Sequence, residues 1–501
     1  MATLLCPSKK NCTARELPKD RKAKMYIFLP SFVYFRLKAY LRILEFGLKY
    51  QQMHFLQSSF ILLSLNMKNK RFIRYMIGLK LLKYAIIALA IPMLSGCSGN
   101  GKDNNNTTTG NDTAQTKVDT NKRNDNQNSN ESKNLLNTIE TREDRQYNDL
   151  ARLLAGLPAE EGSKFAKYHQ TKAWQQYANT ANNTWSGILT QKVPTMSKWS
   201  NDALKTQNDA KGTLFYPFSG PDFLHANTLF PGAEKIVMIG LEPIGNYPNL
   251  DKVANKSLNG YFNGLQRSLY TILKLSFFRT IAMAKDFTGK VTADIDGTLP
   301  VLMLFMARTK HRVLYYEKVA VNEEGELIAA DDAIGRKVYY GTKLTYRHED
   351  KPNEKKTLFY FAANLQNSPY SSRSGLVRKG LEDRSDFRKF LKSLDITTTY
   401  IKSASYLMHR ETFSIIRNII LNQSKYFLQD DSGMALRYVD RSKWNLTFFG
   451  AYAGPIPLFR NRYQAGLRKA YSSGNNVKPL PFGIGYQYRK GTSNLMLAEK
   501  K

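Results

Sequence analysis

A handful of positions in this 501-residue chain have the residue types and spacing that chemistry at a strand end requires. Ser219-Gly220-Pro221-Asp222 follows a short apolar run, Thr213 to Phe218, and Glu242-Pro243 closes a second run, Lys235 to Leu241. A serine at a strand-to-helix turn approaches a nucleophile elbow, although Ser219 lacks the glycine that precedes it in G-x-S-x-G. Gly220 allows close backbone approach, the amides after Pro221 suit an anion, and Asp222 or Glu242 could bind hydroxyls or accept a proton. The competing roles are structural: Asp222 as a helix cap and Glu242 as a turn residue. Gly220 and Glu242 are separated by close to the ~20 residues that divide a dinucleotide-binding turn from its ribose-binding acid. Farther along, His409 follows the polar run Lys402, Ser403 and Ser405 and is a candidate acid or base, and Asp430 is a carboxylate near another strand end. Arg460, Arg462 and Arg468 with Tyr463 have the donors for an anionic or saccharide ligand. The histidines from His169 onward show no metal-ligand spacing, so no metal site is expected.

The elements that must position these residues are legible in the periodicity. Between Leu135 and Leu204 apolar residues recur at helical spacing, as Leu150, Leu153, Leu154 and Leu157 and then Tyr168, Trp174, Tyr177 and Trp185, which predicts two or three helices. Their aromatic side chains are expected to pack on a sheet rather than stack on sugar. From Gly212 the pattern reads strand, glycine turn, helix 223–229 and strand, a βαβ unit. Helices 258–285 and 299–309 follow. Strands 313–321, 337–347 and 357–363 come next, the last two as a hairpin. An alternation of helix 385–394, strand 396–401, helix 411–422 and strands 425–428 and 446–452 completes the pattern. The fold class expected is α/β: a mixed, largely parallel Rossmann-like sheet flanked by helices, with an N-terminal helical preface. In such a sheet both FSGPD and GLEP lie at carboxyl ends, where open α/β sheets bind ligands.

This block resembles the first two strands of S-adenosylmethionine-dependent methyltransferases, over about Thr213 to Tyr452, although of the glycine-rich turn only Gly220 is present. A second resemblance lies in Asp294-Ile295-Asp296-Gly297-Thr298-Leu299, which is similar to the DxDGT signature of haloacid-dehalogenase-type phosphatases. It implies Asp294 as phosphoryl acceptor and Asp296 as general acid with magnesium, with Asp430-Asp431 and Lys402 as the later acids and lysine. A third is Leu94-Ser95-Gly96-Cys97, behind basic Lys68, Lys70, Arg71 and Arg74 and an apolar run shorter than the ~20 residues a membrane span needs. This resembles the lipobox of bacterial lipoproteins and implies Cys97 as the lipidated first residue of the mature chain. The body, with FYPFSGPD, GLEP and PFGIGY, is similar to exported bacterial lipoproteins to which no activity is attached.

Composition fits export. The formal charge is +33, but 17 Lys+Arg and 3 Asp+Glu precede Cys97, which puts +14 in the leader and leaves +19. The remainder favours anionic surfaces such as headgroups or acidic polysaccharide, and no nucleic-acid-binding motif is present. Cys6 and Cys12 lie in the leader, so the mature body has no disulfide. The expected organisation is 1–66 as a mis-called upstream extension, 67–96 as signal peptide and 97–134 as an Asn/Thr/Ser-rich tether. A helical segment then spans 135–208 and an α/β domain 209–501. Ser98 in place of an aspartate points to the outer membrane. The function expected is that of a lipid-anchored envelope protein binding a ligand or envelope component through Ser219, Gly220, Asp222, Glu242, His409 and Asp430. No cofactor is expected, and the partners are the membrane and an anionic or saccharide ligand. An exported magnesium-dependent phosphatase using Asp294 and Asp296, or a methyltransferase-like enzyme, is the alternative.

Overall fold

The computed structural model describes residues 135–138, 140–275, 297–333, 338–367, 385–473 and 477–501. The leader, Cys97, the tether and the Asp294/Asp296 pair lie outside them.

Helices α1 (Arg145–Leu154), α2 (Ala166–His169), α3 (Lys172–Gly187), α4 (Val193–Ala203) and α5 (Lys205–Asp209) precede the first strand. Asp144 and Thr171 start α1 and α3 by accepting hydrogen bonds from the amides of Gln146 and Trp174, as N-caps do. Between α3 and α4 the chain widens into a π-helical turn, Ile188–Lys192. The aromatic side chains of this preface are core, as expected: Trp174, Tyr177, Trp185 and Trp199 are buried in one apolar cluster with Leu214, Tyr216 and Met238 of the sheet.

The sheet has eleven strands among the described residues: β1 (Thr213–Pro217), β2 (Lys235–Gly240), β3 (His311–Val321), β4 (Leu327–Ala329), β5 (Tyr339–His348), β6 (Lys356–Ala362), β7 (Ile396–Ile401), β8 (Tyr426–Gln429), β9 (Trp444–Gly450), β10 (Val477–Lys478) and β11 (Asn494–Lys500). Their order is β10-β9-β11-β8-β7-β1-β2-β6-β5-β3-β4. The remaining helices are α6 (Phe223–Leu229), α7 (Leu250–Lys256), α8 (Leu258–Leu275), α9 (Leu299–Arg308), α10 (Ser385–Ser393), α11 (Ser414–Gln423) and α12 (Ala465–Ser472). None of the described helices is long and apolar enough to cross a membrane.

A mixed sheet flanked by helices is present; a largely parallel one is not. Parallel pairing holds the middle, β6-β2-β1-β7-β8. Most registered residue pairs lie in the antiparallel flanks, where β5 pairs both β3 and β6 and where β11 runs antiparallel between β8 and β9. The hairpin expected across 349–354 exists, but β3 joins it and extends the flank. Strands β4, β10 and β11 had no expectation in the sequence. Helix 411–422 is in fact a 3-10 turn, Glu411–Phe413, leading into α11.

Because side chains alternate across a strand, the central strands feed two cores. Leu214, Tyr216, Met238, Tyr360 and Tyr400 face one, and Phe215, Val237, Ile239, Phe361 and Ile401 face the other. Lys402, one residue past β7, continues the Tyr400 side and is therefore carried into the first core rather than into water.

Candidate functional site

Strand β1 has β2, reached through α6, on one side and β7 on the other. The carboxyl ends of β1 and β7 therefore form the topological switch point of the parallel region. Asp222 stands there at 0% exposure and caps α6, Oδ1 accepting from the amide of His225 at 3.3 Å. The cap reading is thus correct but incomplete. Oδ2 accepts from the Tyr216 hydroxyl at 2.9 Å and from Nζ of the buried Lys402 at 2.7 Å. Oδ1 also faces Nδ1 of the fully buried His225 at 2.8 Å. A carboxylate at that distance places the proton on Nδ1, so the 3.5 Å approach of Lys402 Nζ to the same nitrogen is proximity of charge rather than a hydrogen bond. Nε2 of His225 is then a bare acceptor, buried and without a hydrogen-bond partner among the described residues.

The electrostatics follow from this packing. Burial alone would raise the Asp222 carboxyl, but His225 and Lys402 outweigh it and hold it well below the usual carboxylate range. Burial, helped by Lys402, pushes the His225 imidazole down to about 4, so it is neutral at physiological pH. Lys192, the last residue of the π-helical turn, lies in the field of Lys402 and Asp222; burial and then Lys402 push its amine down to about 8. π-helical turns recur at functional sites, and this one carries an amine within electrostatic reach of Lys402 and Asp222.

A second group of carboxylates flanks the first. Asp430, after β8, accepts from the backbone amides of Ser403 at 2.9 Å and Ser432 at 3.0 Å. Burial, and then Asp431, raise it to about 7. Asp431 accepts from the Tyr406 hydroxyl and from Asn494 Nδ2 at 3.1 Å. The buried hydroxyl of Tyr400 lies in the field of both Asp222 and Asp430 and has no hydrogen-bond partner among the described residues. The loops that hold these residues are strained. Phe218 after β1, and Ser403, Ser405 and Tyr406 after β7, all have φ between 52° and 59° without being glycine. Such conformations cost about 1–3 kcal/mol each and collect at functional sites.

The sequence-derived candidates therefore separate. Asp222 and Asp430 belong together, bridged by the consecutive residues Lys402 and Ser403. His409 joins them through Tyr406, its ring 5.2 Å away, and burial followed by Arg437 pushes it down to about 4. Ser219 does not act as a nucleophile in this arrangement: it is buried, and its hydroxyl and amide both donate to the carbonyl of Ile239. The free amides expected after Pro221 are also corrected, since α6 is two turns long and Asp222 caps it. Gly220, at φ 54°, lies against β2, where a methyl group built on Gly240 would sit 3.1 Å from its Cα and 2.6 Å from Oε2 of Glu242. Glu242 is turned inward there, with the Tyr360 hydroxyl 3.1 Å from its carbonyl and 3.4 Å from Oε2. Sequence reasoning missed His225, Tyr216 and Lys192 altogether. Asp222 and His225 are three apart on one helix, the spacing that places side chains on one face, and that was the available signal.

Comparison with family models, with curated proteins and with solved structures gave no match.

Two outcomes follow. Lys402→Met leaves a buried unpaired carboxylate and is expected to cost ~3–5 kcal/mol in urea unfolding, with much of it regained in the Asp222→Asn/Lys402→Met double variant. Equal, additive losses would show that the pair is not coupled. His225, His311 and His409 are all depressed, chiefly by burial, to about 4, 3 and 4. They are neutral when folded and protonate when unfolded below ~6.5, so their contribution is complete above that pH and is lost as pH falls towards 4. Asp430 and Asp431, both raised chiefly by burial, work in the opposite direction over part of this range, two groups against three. Unfolding free energy is expected to drop between pH 7 and pH 4.5; a flat profile would contradict the histidine burial.

Proposed function

We propose that the chain is a lipid-anchored envelope protein, attached through Cys97, whose α/β domain binds a hydroxylated or anionic ligand at the switch point between β1 and β7. The observation that carries the reading is the bare, buried Nε2 of His225 beside the Asp222–Lys402 ion pair. An Asp–His pair fixed in this tautomer can accept a proton or hydroxyl hydrogen bond at Nε2, while Lys402 and Lys192 supply positive charge for an anionic group. Strained loops on both sides and a π-helical turn support the same location. The anchoring rests on the lipobox resemblance and on the basic, apolar segment before it. The outer membrane is the proposed destination, from Ser98.

One observation favours a second reading, a methyltransferase-like enzyme. Taken in chain order, the five central parallel strands stand third-second-first-fourth-fifth, the doubly wound order. Against it, Glu242 at the ribose-binding position is committed to Tyr360. The phosphatase alternative needs Asp294 and Asp296, which lie outside the described residues; of its later residues, Asp430 and Asp431 hold the loop after β7 and Lys402 is paired with Asp222.

The test has two arms. Intact-mass analysis of the membrane-extracted protein is expected to show a mature chain beginning at a diacylglyceryl-modified Cys97; an unmodified residue there removes the anchor. In detergent solution, a panel of neutral, acidic and phosphorylated saccharides is screened for thermal stabilisation, with S-adenosylmethionine in the same panel. An acidic or phosphorylated sugar is expected to raise the Tm of the native chain but not of His225→Phe. Stabilisation by S-adenosylmethionine alone favours the second reading, and no stabilisation by any member contradicts the ligand site.

A further inference from the structure

The C-terminal part of the domain has an unusual charge distribution. Between Asp440 and Glu499 there is no acidic residue, while Arg441, Lys443, Arg460, Arg462, Arg468, Lys469, Lys478, Arg489 and Lys490 all fall in that interval. Three of the five large apolar side chains most exposed among the described residues lie in the same interval: Leu458 at 78%, Tyr463 at 52% and Tyr488 at 36%. Scattered exposed hydrophobes need no explanation, but these are held together by the fold. Leu458 lies within the 3-10 turn Pro457–Arg462 and Tyr463 directly follows it; in the same turn Arg460 is exposed and Arg462 half-buried. Phe459, on the inner side of that turn, packs its ring 5.3 Å from Tyr486, and Gln487 Nε2 donates to the carbonyl of Gly454 at 2.6 Å. The loop bearing Tyr488 and Arg489 is thereby joined to the turn bearing Leu458 and Arg460.

Both loops sit at the carboxyl edge, because β9 ends at Gly450 and the antiparallel β11 begins opposite it at Asn494. They also touch the site. Phe459 lies 5.0 Å from the ring of Tyr406, and the Tyr486 hydroxyl donates to the carbonyl of Ser403 at 2.9 Å. Tyrosine has an apolar body and a polar tip, and arginine a cation that pairs with phosphate; with an exposed leucine these are the side chains of a protein that lies on a headgroup layer.

We propose that the carboxyl edge of the domain docks on an anionic lipid bilayer, with Leu458, Tyr463 and Tyr488 entering the headgroup region and Arg460, Arg462 and Arg489 meeting lipid phosphates. The edge of the sheet that carries the switch point then faces the membrane surface. The proposal adds an orientation to the envelope attachment read from Cys97 and rests on it for location, but its test reports which face meets lipid, whatever brings the chain there.

The full chain is reconstituted with phosphatidylglycerol vesicles containing a brominated lipid, and separately with phosphatidylcholine vesicles containing the same quencher. The native chain has four tryptophans, Trp174, Trp185, Trp199 and Trp444, all buried, so Leu458→Trp and Tyr463→Trp each add one reporter at the proposed contact. The added tryptophan is expected to lose most of its fluorescence in the anionic vesicles. That loss is expected to disappear in phosphatidylcholine, at high salt and in the Arg460→Glu/Arg462→Glu background, while the chain still sediments with the vesicles. Equal quenching in neutral vesicles, quenching that survives charge reversal, or absence of quenching in a chain that sediments would each overturn the proposal. So would protection of the reporter by a soluble acidic polysaccharide with no quenching by lipid. Loss of sedimentation on removing Cys97, with quenching intact in the anchored chain, would concern the attachment alone.

Discussion

The buried ion pair between Asp222 and Lys402 is the constraint on which the switch point depends. Taking a carboxylate and an ammonium out of water costs several kcal/mol per ion, so such a pair persists only when the remaining valences are filled. Here they are: the two oxygens of Asp222 receive the Tyr216 hydroxyl, the His225 amide, Nδ1 of His225 and Nζ of Lys402. Meeting that demand fixes much else. It starts α6 at Phe223, holds the end of β1 against the end of β7, and sets the tautomer of His225, whose Nε2 has no hydrogen-bond partner among the described residues.

The Asp430–Asp431 pair performs a related task one strand away. The three left-handed residues Ser403, Ser405 and Tyr406 would relax if nothing held them. Asp430 holds the amide of Ser403, Asp431 holds the hydroxyl of Tyr406, and Tyr486 bonds Ser405 and the carbonyl of Ser403. The C-terminal loops are therefore fastened to the same backbone that carries Lys402, which is how a basic rim and a buried charge cluster come to share one edge.

Much of this was readable from local text and the rest was not, for reasons that differ by element. The unit β1–α6–β2 is written in apolar runs punctuated by Gly220, Pro221 and Asp222, so its strands and helix were placed within a residue or two. Lys402 was visible as a polar residue after a strand and as the lysine implied by the phosphatase resemblance, but not as the partner of Asp222, which is 180 positions away and connected by topology rather than by spacing. His225 drew no expectation beyond its lack of metal-ligand spacing, because its place in the site depends on a carboxylate orientation that no pattern encodes. Ser219 and Glu242 misled for the opposite reason: their positions at strand ends matched known grammar, while the fold spends one on the Ile239 carbonyl and the other on Tyr360. The antiparallel flanks were read only in part: the β5–β6 hairpin was expected, but β3 could have paired on either side and Asn494 to Lys500 was not recognised as a strand.

The central claim is that the interior of the switch point holds a neutral imidazole locked by a carboxylate. Nitrogen NMR of the histidine side chains, assigned by a His225→Asn variant, addresses it directly. The account predicts a His225 ring at pH 7 with the proton on Nδ1 and a bare Nε2, titrating near pH 4. A ring that titrates near the ordinary value of ~6.5, or one that carries its proton on Nε2, would contradict it.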